Sequence, residues 1–428
     1  MTRDGWGIER FFVELSRIVV GATFLFSGFV KSVDPYGFAY KIEDYLIKMN
    51  LTELFPLALF GAVCLVVVEF ALGAMLLLGV YRKWTTRLIG LIMVVFTPFT
   101  LWVAIANPVP DCGCFGDALI ITNWQTFYKN VVLLVAIIYL VVKWQKITPL
   151  FSQQKKQLAV TVFIVVFGLS FALYNINFLP IIDFRPYKVG NNIPEQMYVD
   201  PEKADVYESV FIYSKDGIKK EFTEDNYPWD DSTWVFEDMS TRLVKEGVKP
   251  AIEDFRIDAV YYDEDLSEWK IGGDITDLVL SEPSYSFLAI AYSLENMSDK
   301  HIDKFVRIRD YADSNDMPFY FVTASSQDVI GKWERENNTA FQLAHADERV
   351  LKTMIRSNPG LMLLKEGTVV GKWDDSRIVL PDNNNVPIEE TGMLLSDSGV
   401  NYLLIRMIIL SIIFFVPLLI IYFIKCND

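Results

Sequence analysis

The chain has 428 residues, of which 52% are hydrophobic and 22% are charged, and its formal net charge is −15. Its mean hydropathy of +0.27 is higher than a soluble protein of this length needs for an ordinary core. The excess apolar residues must therefore face lipid, which excludes an ordinary soluble enzyme. The acidic balance also argues against a protein that binds nucleic acid or docks on anionic lipid.

Six stretches are apolar and long enough to cross a hydrocarbon layer of about 30 Å, which takes about 20 helical residues. The first contains Glu14 and Arg17 and is followed by further spans, which does not fit a removable signal peptide. The sequence predicts spans at Phe11–Val30, Phe55–Val80, Leu88–Ala106, Phe127–Val142, Leu158–Phe178 and Leu403–Ile424.

Lysine and arginine beside these spans predict their orientation. Arg3 and Arg10 precede the first span, and basic residues fill the loops between spans two and three and between spans four and five. The loop from Asn107 to Thr126 contains no Lys or Arg. We therefore predict a bacterial inner-membrane protein with both termini cytoplasmic, the 107–126 loop outside and residues 181–400 in the periplasm.

Charge separates the membrane part from the predicted periplasmic part. Residues 181–400 contain 43 Asp and Glu against 23 Lys and Arg, a net charge of −20 in a chain whose total is −15. The remainder of the chain therefore carries +5. A basic membrane part therefore holds an acidic external domain, and this acidity keeps the domain soluble without identifying a partner.

The predicted periplasmic part begins with a proline-punctuated hinge and continues as a β-rich connector over residues 181–275. Short aromatic and β-branched runs separated by turn residues are typical of strands. They predict strands at Ser209–Tyr213, Lys219–Phe222, Thr233–Phe236 and Ile252–Ile257.

From Ser286 the pattern changes to strand, helix, strand, helix and a hairpin led by Asn358-Pro359-Gly360. This order resembles the thioredoxin fold over roughly Ser286 to Trp373, with Pro359 at the place of that family's cis-proline. Ser293-Leu294-Glu295-Asn296 stands where a redox-active member has Cys-x-x-Cys. The resemblance implies an α/β domain that does not exchange disulfides but binds a client as an extended polypeptide at Ser293, Asn296 and Pro359.

Two of the four cysteines stand one residue apart in a loop predicted to lie outside. Cys112 and Cys114 belong to the run Asp111-Cys112-Gly113-Cys114-Phe115-Gly116-Asp117 between spans three and four, on the oxidising side of the membrane. Cys64 is inside span two, where it is expected to be a small core residue, and Cys426 is on the predicted cytoplasmic tail.

This Cys-Gly-Cys-Phe-Gly loop resembles that of the bacterial DoxX family and its MauE-like relatives, which are four-helix membrane proteins. Span one adds Arg17, Ser27-Gly28-Phe29, Lys31 and Asp34-Pro35, and span two adds Glu69 followed by Gly73. The resemblance covers about residues 8 to 147. MauE is linked to maturing a disulfide-rich periplasmic enzyme subunit and some DoxX relatives to sulfur compounds and quinones, so the resemblance implies thiol-disulfide work at a membrane.

The chemistry of the pair also follows from its spacing. A Cys-Gly-Cys bridge closes only a small strained ring, and strained exposed disulfides are the labile, oxidising ones. A nearby cation favours the thiolate, and Lys31 is the candidate; Asp117 is a candidate proton acceptor. Two alternatives remain open, a static loop staple and a metal site, although thiolate sites usually need further Cys or His ligands.

Glu69 needs its own explanation because an ionisable side chain in an apolar run is costly in a bilayer. By helical rise it lies about as deep as Arg17, so the sequence predicts a membrane-embedded ion pair between them. Glu14 competes for Arg17 at helical spacing i, i+3. A proton- or quinone-linked role for Glu69 is the alternative.

The predicted fold class is an α-helical membrane bundle, with a four-helix DoxX/MauE-like core and two further spans, carrying a β-rich connector and a thioredoxin-like α/β domain. The predicted domains are residues 1–150, the fifth span at 151–180, the connector at 181–275, the thioredoxin-like domain at 276–400, and the last span with its tail at 401–428.

Two functions fit this organisation. One is a membrane thiol-disulfide oxidoreductase that acts on a periplasmic thiol-containing protein through Cys112 and Cys114 and passes electrons to a quinone between the helices. The other is a non-enzymatic scaffold or assembly protein whose outer domain binds a client or a subunit of an envelope complex.

Overall fold

The computed structural model describes residues 3–109, 111–215, 217–245, 247–381, 383–394 and 399–424. Side chains are described from Gly7 to Leu394 and from Leu404 to Ile424 within those ranges. The predicted cytoplasmic tail with Cys426 lies outside the described residues.

Six helices of the described chain are long and apolar enough to cross a membrane, which confirms the predicted spans. Five of them belong to an N-terminal bundle, which also contains one shorter helix between the first two spans. The bundle consists of α1 (Arg3–Val33), α2 (Pro35–Lys48), α3 (Ala58–Leu78), α4 (Arg82–Ala106), α5 (Asn123–Lys143) and α6 (Gln154–Asn177).

Glycines bring α1 and α3 into backbone contact. A methyl group on Gly28 would lie 2.7 Å from the Cα of Phe70, and one on Gly73 would lie 2.8 Å from the Cα of Leu25. Real side chains do not approach a backbone this closely, so only glycine fits at these two positions. Small residues allow such packing in membranes, where helix association depends on close contact rather than on the hydrophobic effect.

The segment after the bundle begins with α7 (Ile193–Met197) and a separate three-stranded antiparallel sheet. Its strand order is β2-β1-β3, with β1 (Val206–Lys215) between β2 (Ile218–Thr223) and β3 (Val235–Lys245). The predicted strand at Thr233–Phe236 is wrong in length, since β3 begins at Val235 and runs to Lys245. All of β3 is exposed, so it lacks the alternation by which a half-buried strand is recognised.

We call residues 181–394, which lie between α6 and α12, the sheet region. Its centre is a seven-stranded mixed sheet with the strand order β10-β9-β6-β7-β8-β4-β5. Its strands β6, β7 and β8 are parallel, and the other pairs are antiparallel. The strands are β4 (Ile257–Asp263), β5 (Glu268–Asp274), β6 (Tyr285–Ala291), β7 (Phe319–Thr323), β8 (Leu343–Ala346), β9 (Gly360–Lys365) and β10 (Thr368–Asp374).

The predicted boundary at residue 275 is wrong as a division between two units, because β4 and β5 pair into this same sheet. The predicted strand at Ile252–Ile257 is also wrong, since β4 begins only at Ile257. The apolar residues Ile252 and Phe255 instead fill the core beneath the sheet. β8, which the sequence pattern did not predict, supplies the edge on which β4 pairs.

Helices cover both faces of the sheet, and a separate apolar core lies on each face. The bond between Asn358 and Pro359 is cis, as the sequence predicts. The thioredoxin-like character of this region stays a prediction. The remaining helices are α8 (Thr276–Leu280), α9 (Ile302–Ser314), α10 (Gln327–Asn337), α11 (Glu348–Met354) and α12 (Gly399–Phe423).

The sheet region meets the bundle through α11 and α2. Arg356, just after α11, pairs with Asp34 at the start of α2, with Nη2 2.7 Å from Oδ2. Arg349 pairs with Asp44 farther along the same two helices. Lys352 lies 5.0 Å from the centroid of the Tyr40 ring. We call this contact the α2–α11 interface.

The last helix, α12, packs against α6. Phe414 contacts the rings of Phe163 and Phe167, and Lys156 donates a hydrogen bond to the carbonyl of Tyr422. Arg406 donates to the carbonyl of Ile181, which joins α12 to the chain that leaves α6. Most of the apolar surface of α12 is left open, as expected for a helix facing lipid.

Candidate functional site

Cys112 and Cys114 lie in the loop between α4 and α5, which folds back over the ends of α1 and α2. Their Sγ atoms are 3.1 Å apart, so one thiol can donate a hydrogen bond to the other. Both residues are half-buried. The two cysteines predicted to act together are therefore in contact, whereas Cys64 is exposed on the lipid-facing side of α3 rather than in the core.

Backbone turns and side chains of α1 and α2 hold this loop. Gly113 and Gly116 have φ of +68° and +51°, a conformation that glycine adopts without strain. Asp111 accepts a 2.9 Å hydrogen bond from the amide of Gly113 and pairs with Lys41, 2.7 Å away. The hydroxyl of Tyr45 lies 3.4 Å from the carbonyl oxygen of Cys112.

A buried polar cluster lies directly beneath the loop. Lys31 Nζ is 3.0 Å and 2.8 Å from the two carboxyl oxygens of Glu69, and the side chain of Lys31 is only 5% exposed. Ser27 Oγ lies 2.8 Å from Glu69 Oε2 and 2.8 Å from the carbonyl oxygen of Cys114. Ser27 and Lys31 share a face of α1 because they are four residues apart. The cluster thus connects the cysteine loop to the middle of α3.

The predicted ion pair between Arg17 and Glu69 is wrong. Arg17 pairs with Glu14 at 3.2 Å and donates to the carbonyl of Thr148, while Glu69 pairs with Lys31. Helical rise gave a similar depth for the two residues, but it did not show how far each helix is shifted along its neighbour. Arg17 instead has the alternative partner that its helical spacing offers, Glu14 at i, i+3.

The surroundings of the pair separate the acidity of the two thiols. The hydrogen bond with Cys112 lowers the pKa of Cys114 to about 6; burial opposes this, and Lys129 and Lys31 support it. The same hydrogen bond, together with burial, raises the pKa of Cys112. Both shifts favour a Cys114 thiolate that accepts a hydrogen bond from the Cys112 thiol.

The sequence pointed to Lys31 but missed Lys129 and the bridging role of Ser27. Lys129 is on α5 and its Nζ lies 4.3 Å from the centroid of the Phe115 ring, which places it over the loop. In the sequence, Lys129 lies only two residues after the start of the predicted span at Phe127. That position suggests a lysine at the membrane surface rather than one beside the cysteines. In the sequence, Ser27 stands out only as part of the run Ser27-Gly28-Phe29.

Asp117 does not join the thiols. It lines a cleft between the bundle and the sheet region, open to water on one side yet surrounded by protein on the others. Burial raises the pKa of its carboxyl, and Asp34 adds to the rise. Its predicted role as proton acceptor for the cysteines stays a prediction that this placement does not favour.

The cleft has a volume of about 390 Å³ and is bounded by α1, α2, the cysteine loop and α11. Charged side chains of both signs line it, and three of them are the ion-paired Asp34, Arg356 and Arg185.

The carboxylate of Asp183 pairs with both Arg185 and Lys372. Burial alone would raise the pKa of Asp183, but these two cations outweigh it and hold the pKa below its usual range. Burial in turn lowers the pKa of Lys372 to about 8.

The residues predicted to bind a client lie together in the sheet region. Asn358, next to Pro359, donates a 2.8 Å hydrogen bond to the carbonyl of Ser293. Asn296 donates to the hydroxyl of Ser293 at 3.0 Å and is exposed. Whether this surface binds a client stays a prediction.

Comparison with known families covers two parts of the chain. The model of the family described as methylamine utilisation protein MauE matches residues 9–143, and that of a domain of unknown function, DUF8463, matches residues 207–246. No curated protein and no solved structure matches the chain. The bundle is therefore that of a MauE-like, multi-pass membrane protein. The resemblance to DoxX stays a prediction.

Proposed function

We propose that this membrane protein exchanges thiols and disulfides through Cys112 and Cys114. The observation that carries the proposal is the 3.1 Å contact between the two sulfur atoms beside the buried Lys31. Thiol exchange needs a thiolate at neutral pH, and nearby cations provide it. A static staple would need neither a buried lysine nor a thiol of low pKa.

The two cysteines take different roles. Cys114 is the more acidic thiol, and a sulfur of low pKa leaves a disulfide more readily. A client thiolate therefore attacks Cys112 of the oxidised pair, forms a mixed disulfide with it and releases Cys114 as the thiolate. A second client thiolate then releases Cys112, so the client gains a disulfide while the pair becomes a dithiol. In the reverse direction the Cys114 thiolate resolves the mixed disulfide.

The oxidised pair must be regenerated by a two-electron acceptor, and a membrane quinone is the class we propose. The cysteine loop packs on α1, α2 and α5 of the bundle, so an acceptor held among these helices would reach it without entering water. The likeness of the bundle to MauE fits the maturation role that the sequence resemblance implies.

Cysteine variants test the exchange. In the full-length chain supplied with the oxidised client, Cys114→Ser should accumulate a mixed disulfide, because Cys112 attacks the client disulfide and the sulfur that resolves the adduct is missing. Cys112→Ser should trap none, and each single variant should lose exchange as completely as the double variant. Non-reducing gels measure the mixed disulfide, and oxidation of a reduced dithiol client measures exchange. Cys64→Ser is the control and should keep full activity. Full activity of the double variant would overturn the proposal.

We further propose that the sheet region lies in the periplasm of a bacterial cell and that both termini are cytoplasmic, as the distribution of Lys and Arg predicts. In a chain freed of its own cysteines, Gly217→Cys should react with a membrane-impermeant maleimide in intact spheroplasts, while Gln145→Cys should react only after lysis. Both positions are exposed, so accessibility within the protein does not decide the result. The reverse labelling would place the cysteine loop in the reducing compartment.

A second function has its own support, in the contacts around Ser293 and Pro359. That surface is open at Asn296 and lies beside the end of β9, which fits the binding of an extended peptide. A scaffold that acts only through this surface would work without the cysteines. The double cysteine variant therefore separates the two functions.

A further inference from the structure

The hydroxyl of Ser27 bridges two oxygen atoms that both ordinarily accept hydrogen bonds. They are Oε2 of Glu69 and the carbonyl oxygen of Cys114, each 2.8 Å from Ser27 Oγ. A serine hydroxyl has one hydrogen and can donate to only one of them. With an ionised Glu69, the other contact brings two lone pairs together in a buried place, which is unfavourable. With a protonated Glu69, its O–H donates to Ser27 and Ser27 donates to Cys114, so both contacts are satisfied.

Lys31, in contrast, favours the ionised form of Glu69. Its ammonium group donates to both oxygens of Glu69, an arrangement that favours the carboxylate. The same ammonium group also acts on the Cys114 thiolate. One buried cation thus serves two groups that can become anions. Holding both anions at once costs free energy in a site removed from water.

We propose that Glu69 takes up a proton when the Cys112–Cys114 disulfide is reduced and returns it when the disulfide forms again. This inference rests on the proposed exchange function. When a client dithiol reduces the disulfide, its two sulfur atoms give up two electrons and two protons and form a disulfide. One proton goes to Cys112, the other goes to Glu69, and Cys114 remains a thiolate balanced by Lys31. Charge and atoms are then the same on both sides.

Other charged groups reach the pair from the surrounding elements. Lys129 on α5 also favours the thiolate, but it is partly open to water and lies over Phe115. Asp111 is neutralised by Lys41, and burial raises the pKa of Tyr45, which keeps its hydroxyl protonated. Among the described groups around the loop, Glu69 is the one whose contact with Ser27 gains a hydrogen bond when it binds a proton.

The pH dependence of the midpoint potential tests this proposal. In purified full-length protein in detergent, titrated against thiol redox buffers between about pH 6.5 and 8, reduction should take up two protons per two electrons. Its lowered pKa favours a Cys114 thiolate over this range, so Glu69→Gln should take up only one proton, and the slope of potential against pH should fall by half. Glu14→Gln is the matched control, since Glu14 lies in the same bundle but pairs with Arg17. Its slope should equal that of the unchanged chain.

The outcomes separate the two proposals. A pair that takes up no electrons would refute the exchange function, whereas a redox-active Glu69→Gln variant with the two-proton slope would refute only the role of Glu69. If Glu69→Gln fails to fold, the unchanged chain still provides a test. Reduced-minus-oxidised infrared spectra should show the C=O stretch of a newly protonated carboxyl group, and its absence overturns the inference.

Discussion

Replacing Gly28 with alanine should push α1 away from α3 and strongly slow the proposed thiol exchange. The added methyl group would lie 2.7 Å from the Cα of Phe70 and 2.9 Å from its Cβ, and backbone cannot give way as a flexible side chain can. Overpacking of this kind costs about 1–3 kcal/mol or more. Ser27 and Lys31 lie within one helical turn of Gly28, and each contacts Glu69 at 2.8 Å. A shift of α1 by about 1 Å would therefore break both contacts. We expect the exchange rate to fall by more than tenfold.

The matched control for this prediction is Gly7→Ala, in the same helix. A methyl group at Gly7 meets nothing within 4 Å, so the alanine should be neutral or slightly stabilising through its higher helix propensity. Melting in detergent measures stability, and the rate of client oxidation measures the site. A Gly28→Ala variant as active and as stable as Gly7→Ala would show that α1 and α3 are not packed this closely.

The second large effect is expected at the α2–α11 interface. Arg356→Gln leaves Asp34 without its main partner in a site where the two side chains are 6% and 18% exposed. Breaking a buried ion pair on one side costs about 3–5 kcal/mol. Asp34→Asn keeps the hydrogen bond that caps α2 at Gly37 while removing the charge. The double variant should therefore recover part of the loss, and denaturant titration of the full chain measures the coupling energy.

Arg349→Ala is the control on the same interface, because Arg349 is 75% exposed and its pair with Asp44 should contribute nothing measurable.

The contribution of the Asp34–Arg356 pair to stability depends on pH with a definite sign. Burial opposes the charge on Asp34, but Arg356 outweighs it and the pKa of Asp34 lies below its usual range. The stabilisation is therefore complete above the pKa of an unfolded aspartate and is lost as pH falls through the lower folded pKa. Additive losses in the two single variants would refute the pair.

Local sequence signals predicted the parts of the fold that depend on local chemistry. Apolar length gave the six spans, and the Cys-Gly-Cys loop pointed to the site with Lys31 beside it. The partner of Glu69 could not be predicted, because the partner depends on how two helices are offset and rotated. That offset follows from Gly28 and Gly73, and their effect is visible only when both helices are in place. Lys129 likewise reaches the loop only through the packing of α5.

The sheet region was predicted where its strands are buried and missed where they are not. β6 is buried at every residue but Tyr285 and β7 is buried throughout, and the sequence predicts both of these strands. β3 is fully exposed, and β8 has only four residues, so neither carries a readable period. The pairing of β4 with β8 joins residues that are far apart in the chain, which is why the connector and the later strands were assigned to different units.

The packing of α12 on α6 brings the two ends of the intervening segment side by side, with Arg406 touching Ile181. A segment fixed at both ends in this way cannot diffuse away from the bundle when its surface contacts open. Its local concentration near α2 is set by tether length rather than by how much protein the cell makes. Even a modest α2–α11 attraction would then keep the cleft formed most of the time, and brief openings would close again without a search for a partner.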